Sequence, residues 1–190
     1  MNPILIRREM PGDYREVENL TREAFWNVYR PGCDEHYIVH VLRNHEDFIP
    51  ELDLVMEKEG RIIGHILYMR AKIRADDGRV VPVMSFGPIS IAPDEQRKGH
   101  GKALLDGNIA FYGHCGFAVA GARGIRYYAE PEREIVPYFL LRELKPGYLD
   151  GVTGVYLPSE GYFVDAREAE AYDAQFPPKI RRKLPGQLFE

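Results

Sequence analysis

A glycine-containing loop between an apolar run and a helix-like pattern constrains this chain most strongly. The apolar run is FGPISI at residues 86–91, and the loop is QRKGHGKA at residues 96–103. The first backbone N–H groups of a helix have no acceptor within it, and the aligned peptide dipoles place partial positive charge there. Gly99 and Gly101 lack Cβ atoms that would keep an anion from the backbone. The sequence predicts a strand, a loop and a helix start that bind an anion such as a pyrophosphate.

Basic side chains surround the same loop and strengthen this interpretation. Arg97, Lys98, His100 and Lys102 add positive charge, which favours a phosphorylated ligand. The spacing fits neither the Walker loop nor the dinucleotide pattern Gly-x-Gly-x-x-Gly. Loops of this kind also cap helices for purely structural reasons, so the pattern alone leaves both interpretations open.

The loop resembles the acyl-CoA pyrophosphate signature of the GNAT acetyltransferase superfamily, Gln/Arg-x-x-Gly-x-Gly/Ala. Gln96, Gly99 and Gly101 occupy its diagnostic positions, and GPISIAP precedes them at residues 87–93. The resemblance implies an α/β fold with a mixed, mostly antiparallel, twisted sheet and flanking helices. It also implies acetyl-CoA as the co-substrate and an amine of a small molecule or protein as the acceptor.

The resemblance extends over most of the chain. ILIRR and PGDY within residues 4–14 resemble the opening strand and helix start of the superfamily, and residues 55–68 resemble its first long hairpin. Near the C-terminus, Gly116-Phe117, residues 148–154 and residues 176–179 resemble a branch of small bacterial acetyltransferases whose acceptors are mostly unassigned.

One segment departs from the family. Between the loop and Gly116-Phe117 only residues 102–115 are available, too few for a helix of about three turns, a strand and the start of another helix. We expect the helix to end near Gly107-Asn108, with residues 109–112 as the rest of the next element. Such a shortening would remove a wall of the pantetheine cleft. The alternative function is therefore a CoA-binding or ligand-sensing module that has lost catalysis.

Bulk properties limit the function classes. The chain has 190 residues, 45% hydrophobic content, 28% charged content and a formal charge of −4, which is typical of a soluble domain and not of a basic nucleic-acid binder. No apolar run approaches the ~20 residues of a membrane span, and Met1-Asn2-Pro3 does not open a secretory signal. We expect one domain over residues 1–176, a basic tail over 177–190 and a cytoplasmic protein, either a monomer or a homodimer.

Periodicity predicts the element order. Apolar residues at helical spacing follow a first strand, Asp34 is a plausible N-cap for a second helix, and Glu59-Gly60 and Asp76-Asp77-Gly78 are hairpin turns. The further predicted elements are a strand at 138–144, a strand at 154–157 and a short acidic helix at 165–176.

The resemblance also suggests catalytic positions. In the superfamily, free backbone groups of the strand before the loop bind the pantetheine amides and polarise the thioester, which assigns this work to residues 89–91. Tyr112 stands five residues before Phe117, where relatives carry a tyrosine near the coenzyme sulfur, and a phenol can protonate the departing thiolate. A ring that merely packs is the open alternative.

The base that removes a proton from the amine is less clear, because Glu35, His36, His65 and Glu130 all lie in segments that resemble acceptor-side elements. Of these, Glu35 is the catalytic candidate. No metal site is predicted, because His36 and His40 are i, i+4 without a following Glu or a third ligand of suitable spacing. The predicted coenzyme-binding residues are Ile89, Ser90, Ile91, Gln96, Arg97, Lys98, Gly99, His100, Gly101, Lys102 and Ala103.

Overall fold

The computed structural model describes residues 4–101, 103–104 and 117–188. These residues form the predicted mixed α/β fold. The helices are α1 (Tyr14–Phe25), α2 (Glu35–Leu42) and α3 (Ala166–Asp173), and another helix starts at His100. The strands are β1 (Ile4–Arg8), β2 (Leu54–Lys58), β3 (Arg61–Ala75), β4 (Val80–Ile91), β5 (Ala118–Val119), β6 (Ile125–Tyr127), β7 (Leu140–Leu141) and β8 (Gly154–Leu157).

The long strand β3 organises the main sheet. β4 pairs antiparallel with residues 64–74 of β3, while β2 pairs with residues 61–66 and β8 with residues 72–75 along the opposite edge. β1 extends the sheet beyond β2, and β6 runs parallel to β8. The sheet is thus mostly antiparallel, as predicted, and β5 and β7 form a separate two-stranded sheet.

The main core lies between the sheet and the helices α1 and α2. Val17 of α1 and Val39 and Leu42 of α2 are fully buried together with Met56 of β2 and Ile66 of β3. Each such side chain stabilises the fold by roughly 1.5–3 kcal/mol relative to exposure. The apolar spacing that predicted the two helices is therefore the spacing of their buried faces.

A second, smaller core fixes the C-terminal half against the far end of the β3–β4 hairpin. Ile73 of β3 and Val81 of β4 are buried against Ile125, Leu149 and Val152. Because these residues are distant in sequence, this contact decides where the segment 118–152 lies relative to β4.

Several sequence predictions need adjustment. The strand expected at 138–144 is limited to Leu140–Leu141. The C-terminal tail packs against the region after α1. Trp26 Nε1 donates to the Ile180 carbonyl at 3.1 Å, and the Leu188 amide donates to the Tyr29 carbonyl at 2.9 Å. Residues 105–116, which include most of the segment predicted to be short, lie outside the described residues. No helix among the described residues is long and apolar enough to cross a membrane.

An ionic cluster joins α1, α2 and the start of the sheet. Arg43 donates to both carboxylate oxygens of Glu9, at 2.6 and 2.9 Å, and to Glu18 at 2.7 Å. Nearby, His65 Nε2 lies 2.8 Å from Asp53 Oδ1. Glu9, Asp53 and His65 each offer a ligand atom within 4.8 Å of the others. Since Arg43 already occupies both oxygens of Glu9, we interpret the cluster as structural.

The buried histidine of this cluster predicts a pH-dependent stability. Burial lowers the pKa of His65 from its ordinary value of 6.5 to about 4. Between these values the unfolded chain binds a proton that the folded chain does not, so stability is lost as pH falls from about 6.5 towards 4. We expect this histidine to remove about 2–3 kcal/mol of unfolding free energy between pH 7 and 4.5.

Urea unfolding of the wild type and His65→Gln at these two pH values measures the effect, which should be smaller in the variant by that amount. His45→Gln, at a histidine whose side chain is 25% exposed, is measured in parallel as the matched control for the loss of an imidazole. Equal pH slopes for the wild type and His65→Gln would contradict the assignment.

Candidate functional site

The predicted anion loop has the backbone shape that its sequence suggests. After β4, a 3-10 turn spans Pro93–Glu95 and the helix starts at His100. Between them Arg97 has φ 61° and Gly99 has φ 84°. Glycine is favoured at position 99 because side chains with a Cβ rarely adopt this φ. A Cβ at Gly99 would meet no atom of the described residues within 4 Å, so these residues leave the surface beside the loop open.

The loop amides are available to a ligand. No acceptor on residues 4–101, 103–104 or 117–188 takes a hydrogen bond from the backbone N–H groups of residues 97–101. The Ala103 amide donates to the Gly99 carbonyl at 3.0 Å and so belongs to the first helical turn. The loop thus presents unsatisfied donors at a helix start, which is the requirement for binding a phosphate group.

The basic side chains of the loop do not all face outward. The buried carboxylate of Glu95 accepts hydrogen bonds from Lys58 at 2.9 Å and His100 at 3.0 Å, and Lys98 Nζ lies 3.1 Å away. Lys58, followed by Lys98, lowers the pKa of Glu95 to about 2. Arg97 is exposed and forms no ion pair with a described residue, so it is the cation best placed for a ligand. The contacts of Lys98 and His100 with Glu95 hold the loop together.

Within the described part of the chain, the strand before the loop pairs only with β3, along one of its edges. The Ala92 amide donates to the Ile63 carbonyl at 2.9 Å, and His65 is paired with Ser90. Because hydrogen-bonded residues alternate in an antiparallel pair, the backbone groups of Ile89 and Ile91 face away from β3. Gln96 Nε2 donates to the outward Ile91 carbonyl at 3.1 Å.

Ser90 differs from its two neighbours in the predicted site. Its hydroxyl is fully buried and donates to Thr21 Oγ1 of α1 at 2.9 Å. Its side chain therefore fixes α1 to β4, and the outward edge belongs to Ile89 and Ile91.

The register of β4 shifts at Gly87 and Pro88, which together stand opposite Leu67 of β3. At this bend the Tyr162 hydroxyl donates to the Gly87 carbonyl at 3.2 Å. Burial raises the pKa of Tyr162, with the Ser85 hydroxyl as a smaller opposing influence. Tyr162 is a phenol that stays protonated at neutral pH. Sequence reasoning missed it, because nothing in the local motif distinguishes it from the other tyrosines.

A cleft of about 920 Å³ opens beyond this bend. One wall is the first half of β4, from Pro82 to Phe86, and the other is the segment 138–149. Phe86 lies next to the bend, so the cleft begins directly beside it. Residues 89–91, the bend at Gly87 and the cleft-lining residues 82–86 thus follow one another along β4, starting from the end of the strand next to the loop.

The remaining predicted residues do not meet at this surface. Tyr112 and Lys102 lie outside the described residues. The Glu35 carboxylate accepts from the Asp34 amide at 3.1 Å at the start of α2, burial raises its pKa, and it does not line the cleft. His65 belongs to the ionic cluster, and Glu130 pairs with Arg133 and Tyr138. The catalytic roles of Tyr112 and Glu35 stay predictions.

No protein-family model matches the chain, and no curated protein matches it. Solved structures do. The GNAT family N-acetyltransferase YhbS from Escherichia coli in complex with CoA is 22% identical, with a TM-score of 0.67 over 85% of this chain and 93% of that chain. A GNAT family acetyltransferase from Brucella melitensis in complex with acetyl-CoA is 21% identical, with a TM-score of 0.60 over 86% of this chain and 100% of that chain.

These similarities agree with the sheet order and with the loop signature read from the sequence. The chain has the fold of the GNAT N-acetyltransferase superfamily.

Proposed function

We propose that this protein is an acetyl-CoA-dependent N-acetyltransferase that works by direct attack in a ternary complex. The observation that carries the proposal is the set of open amides at residues 97–101, placed at the end of a strand edge that leads into a cleft. Two structures with the same fold hold CoA or acetyl-CoA, which supports the choice of donor.

The donor would lie along β4. Its diphosphate would accept hydrogen bonds from the loop amides, and Arg97 would add a charged contact. The pantetheine amides would pair with the outward backbone groups of Ile89 and Ile91, as an additional strand would. From Ile91 to Phe86 the strand advances about 16 Å. This length brings an extended pantetheine arm to the bend at Gly87 and the mouth of the cleft.

The chemistry then takes place at the bend. A neutral amine in the cleft attacks the thioester carbonyl carbon, the new C–N bond forms, and the C–S bond breaks. The departing thiolate needs a proton, and the Tyr162 phenol is placed at this bend to provide one. Tyr162 is thus a second candidate acid beside Tyr112. Once the amine has lost its proton, the new amide group of the product and the thiol group of CoA are both uncharged.

The loop assignment predicts the effect of a charge at Gly101. A Cβ there meets only Ile91 Cγ1, at 3.8 Å, so Gly101→Glu leaves the protein packing intact. Its carboxylate would oppose the diphosphate, and we expect the Kd for acetyl-CoA to rise by at least about 100-fold. Calorimetry with acetyl-CoA measures this change.

Gly12→Glu is the matched control for Gly101→Glu. Gly12 is exposed in the turn before α1, and a Cβ there meets nothing within 4 Å. This variant adds the same charge away from the loop and should bind acetyl-CoA like the wild type. An unchanged Kd in Gly101→Glu would show that the anion site lies elsewhere.

The position of Tyr162 predicts a loss of turnover without a loss of binding. We expect Tyr162→Phe to lower kcat by at least about 100-fold, because a general acid contributes roughly 100- to 10,000-fold. The Kd for acetyl-CoA and the KM for the acceptor should stay within about 2-fold of the wild type, since the phenol contacts the bend and not the loop. Thiol release under saturating donor measures kcat.

Tyr37→Phe removes the same atom from a tyrosine on α2 whose hydroxyl bonds to Glu168 at 3.0 Å, and it should keep wild-type kcat. Tyr112→Phe should be assayed in parallel. If only Tyr112→Phe slows turnover, the acid is Tyr112 and the role given to Tyr162 is wrong. Acetyl-CoA binding without thiol release from any amine would instead favour a binding or sensing module.

A further inference from the structure

The described side chains that line the cleft are mostly apolar or aromatic. On the β4 wall, the ring centroid of Phe86 lies 5.5 Å from that of Tyr68 and 6.1 Å from that of Phe117. On the other wall, Phe139 lies against Tyr156 of β8, with ring centroids 5.2 Å apart. The aliphatic side chains of this second wall are Leu140, Leu141, Leu144 and Leu149. A cleft with such walls favours an occupant that buries apolar surface.

Packing and one hydrogen bond hold the two walls together. The Tyr148 hydroxyl of the second wall donates to the Pro82 carbonyl of β4 at 2.8 Å. Ile73 and Leu149 line the cleft and also belong to the second core. The space between the walls is therefore part of the folded structure, as is usual for a small-molecule site.

The polar groups of the lining are largely engaged within the protein. Glu143 accepts hydrogen bonds from Arg123 Nη1 at 3.2 Å and from the Leu149 amide at 2.7 Å. Arg70 donates to the Phe48 carbonyl at 2.8 Å. These contacts use the groups that would otherwise pair with a charged substituent of a ligand.

The other polar residues of the lining do not change this picture. Arg142 has an interaction partner within the protein, and its Nη1 atom is closed to solvent, as is Ser85 Oγ. Lys145 is exposed, so its ammonium group stays hydrated. Apolar contact is therefore the main interaction that the described lining offers to an occupant.

The charges of the lining also select against a second cation on the occupant. Arg70, Arg142 and Lys145 carry three positive charges, against the one negative charge of Glu143. A further ammonium group in the cleft would be repelled. The same surroundings lower the pKa of the reacting amine and so favour its neutral, nucleophilic form.

From these observations we propose that the acetyl acceptor is a hydrophobic amine, which we define as a primary amine on an uncharged apolar group. The apolar group lies between the walls, and the nitrogen reaches the thioester at the bend. A volume of about 920 Å³ is within the range of drug-sized ligands, so a hexyl chain or an aromatic ring fits. The proposal rests on the transferase function above and names the substrate class of the same site.

The transfer balances without another reactant. The amine nitrogen forms a bond to the acetyl carbon, and the bond from that carbon to sulfur breaks. The proton lost from the amine balances the proton gained by the thiolate. The products are an N-substituted acetamide and CoA.

Linear primary amines test the proposal with the unmodified protein and acetyl-CoA. We expect kcat/KM for thiol release to rise from ethylamine through butylamine to hexylamine by about 3- to 4-fold with each added methylene, the gain for burying that group. These amines have nearly the same basicity, so the trend reports contact with the walls. A kcat/KM that does not rise with chain length would overturn the inference and leave the transferase function standing.

Two amines of the same length as hexylamine test the exclusion of charge. Hexamethylenediamine carries a second ammonium group and ε-aminocaproate carries a carboxylate at the far end. We expect kcat/KM for each to be at least about 10-fold below that for hexylamine, because the terminal charge loses water without gaining a partner. A value equal to or above that of hexylamine for either compound would overturn the inference.

The acyl group of the donor is the other apolar occupant that these experiments distinguish. Calorimetry compares hexanoyl-CoA with acetyl-CoA. If hexanoyl-CoA binds more tightly and the amines show no dependence on chain length, the apolar chain belongs to the donor and the inference is overturned.

A polar substitution in the β4 wall locates the contact. Met84 lines the cleft and is 42% exposed, and Met84→Gln keeps the length of the side chain while adding polar atoms. We expect kcat/KM for hexylamine to fall by about 5-fold and that for ethylamine to stay unchanged, because ethylamine has little apolar surface to lose. Met10→Gln is the matched control, since Met10 is 58% exposed and lies before α1, outside the lining. Equal changes for the two amines in Met84→Gln would overturn the placement of the chain against this wall.

Binding separates this inference from the proposed function. If acetyl-CoA binds and no amine releases thiol, calorimetry of the same alkylamines with the CoA-loaded protein still tests the cleft. A Kd that falls by about 3-fold with each added methylene would support a site for hydrophobic amines while the transferase function fails. Kd values that do not depend on chain length would overturn the inference as well.

Discussion

The pairing of β3 with β4 is the constraint on which the rest of the site depends. The bond from the Ala92 amide to the Ile63 carbonyl fixes the register, and this register turns the backbone of Ile89 and Ile91 outward while Ser90 faces Thr21. A slip of one residue would exchange the two sets and turn towards β3 the backbone groups that we propose for coenzyme binding. Stability and the candidate binding surface therefore come from the same ladder of hydrogen bonds.

In the proposed anion site, charged side chains and backbone amides have separate roles. Glu95 gathers Lys58 from the β2–β3 hairpin and Lys98 and His100 from the loop, and this ionic contact fixes the loop to the sheet. The amides of residues 97–101 donate to no described residue, and in our proposal they bind the diphosphate. Counting the basic residues in the sequence therefore overestimates the positive charge that is available to a phosphate. Part of that charge balances the buried carboxylate of Glu95.

The cleft depends on contacts between distant parts of the chain. Its walls come from β4 and from residues 138–149, which the second core around Ile73, Ile125 and Leu149 holds together. The same arrangement brings Tyr162 to the bend at Gly87 and Arg142 to the cleft wall. The proposed donor site is thus encoded locally, whereas the proposed acceptor side is built by long-range packing.

The sequence by itself determined the helices α1 and α2, the hairpin turn at Glu59-Gly60 and the glycine loop, because periodicity, turn chemistry and positive φ act over a few residues. Only the tertiary structure decided that Ser90 bonds to Thr21 of α1, that Lys98 and His100 bind Glu95, that Tyr162 reaches the bend at Gly87 and that Arg142 lines the cleft. Those roles depend on contacts between residues that are distant in sequence, and a local sequence pattern carries no information about such contacts. For the same reason Glu35 could be named from its segment but could not be located relative to the cleft.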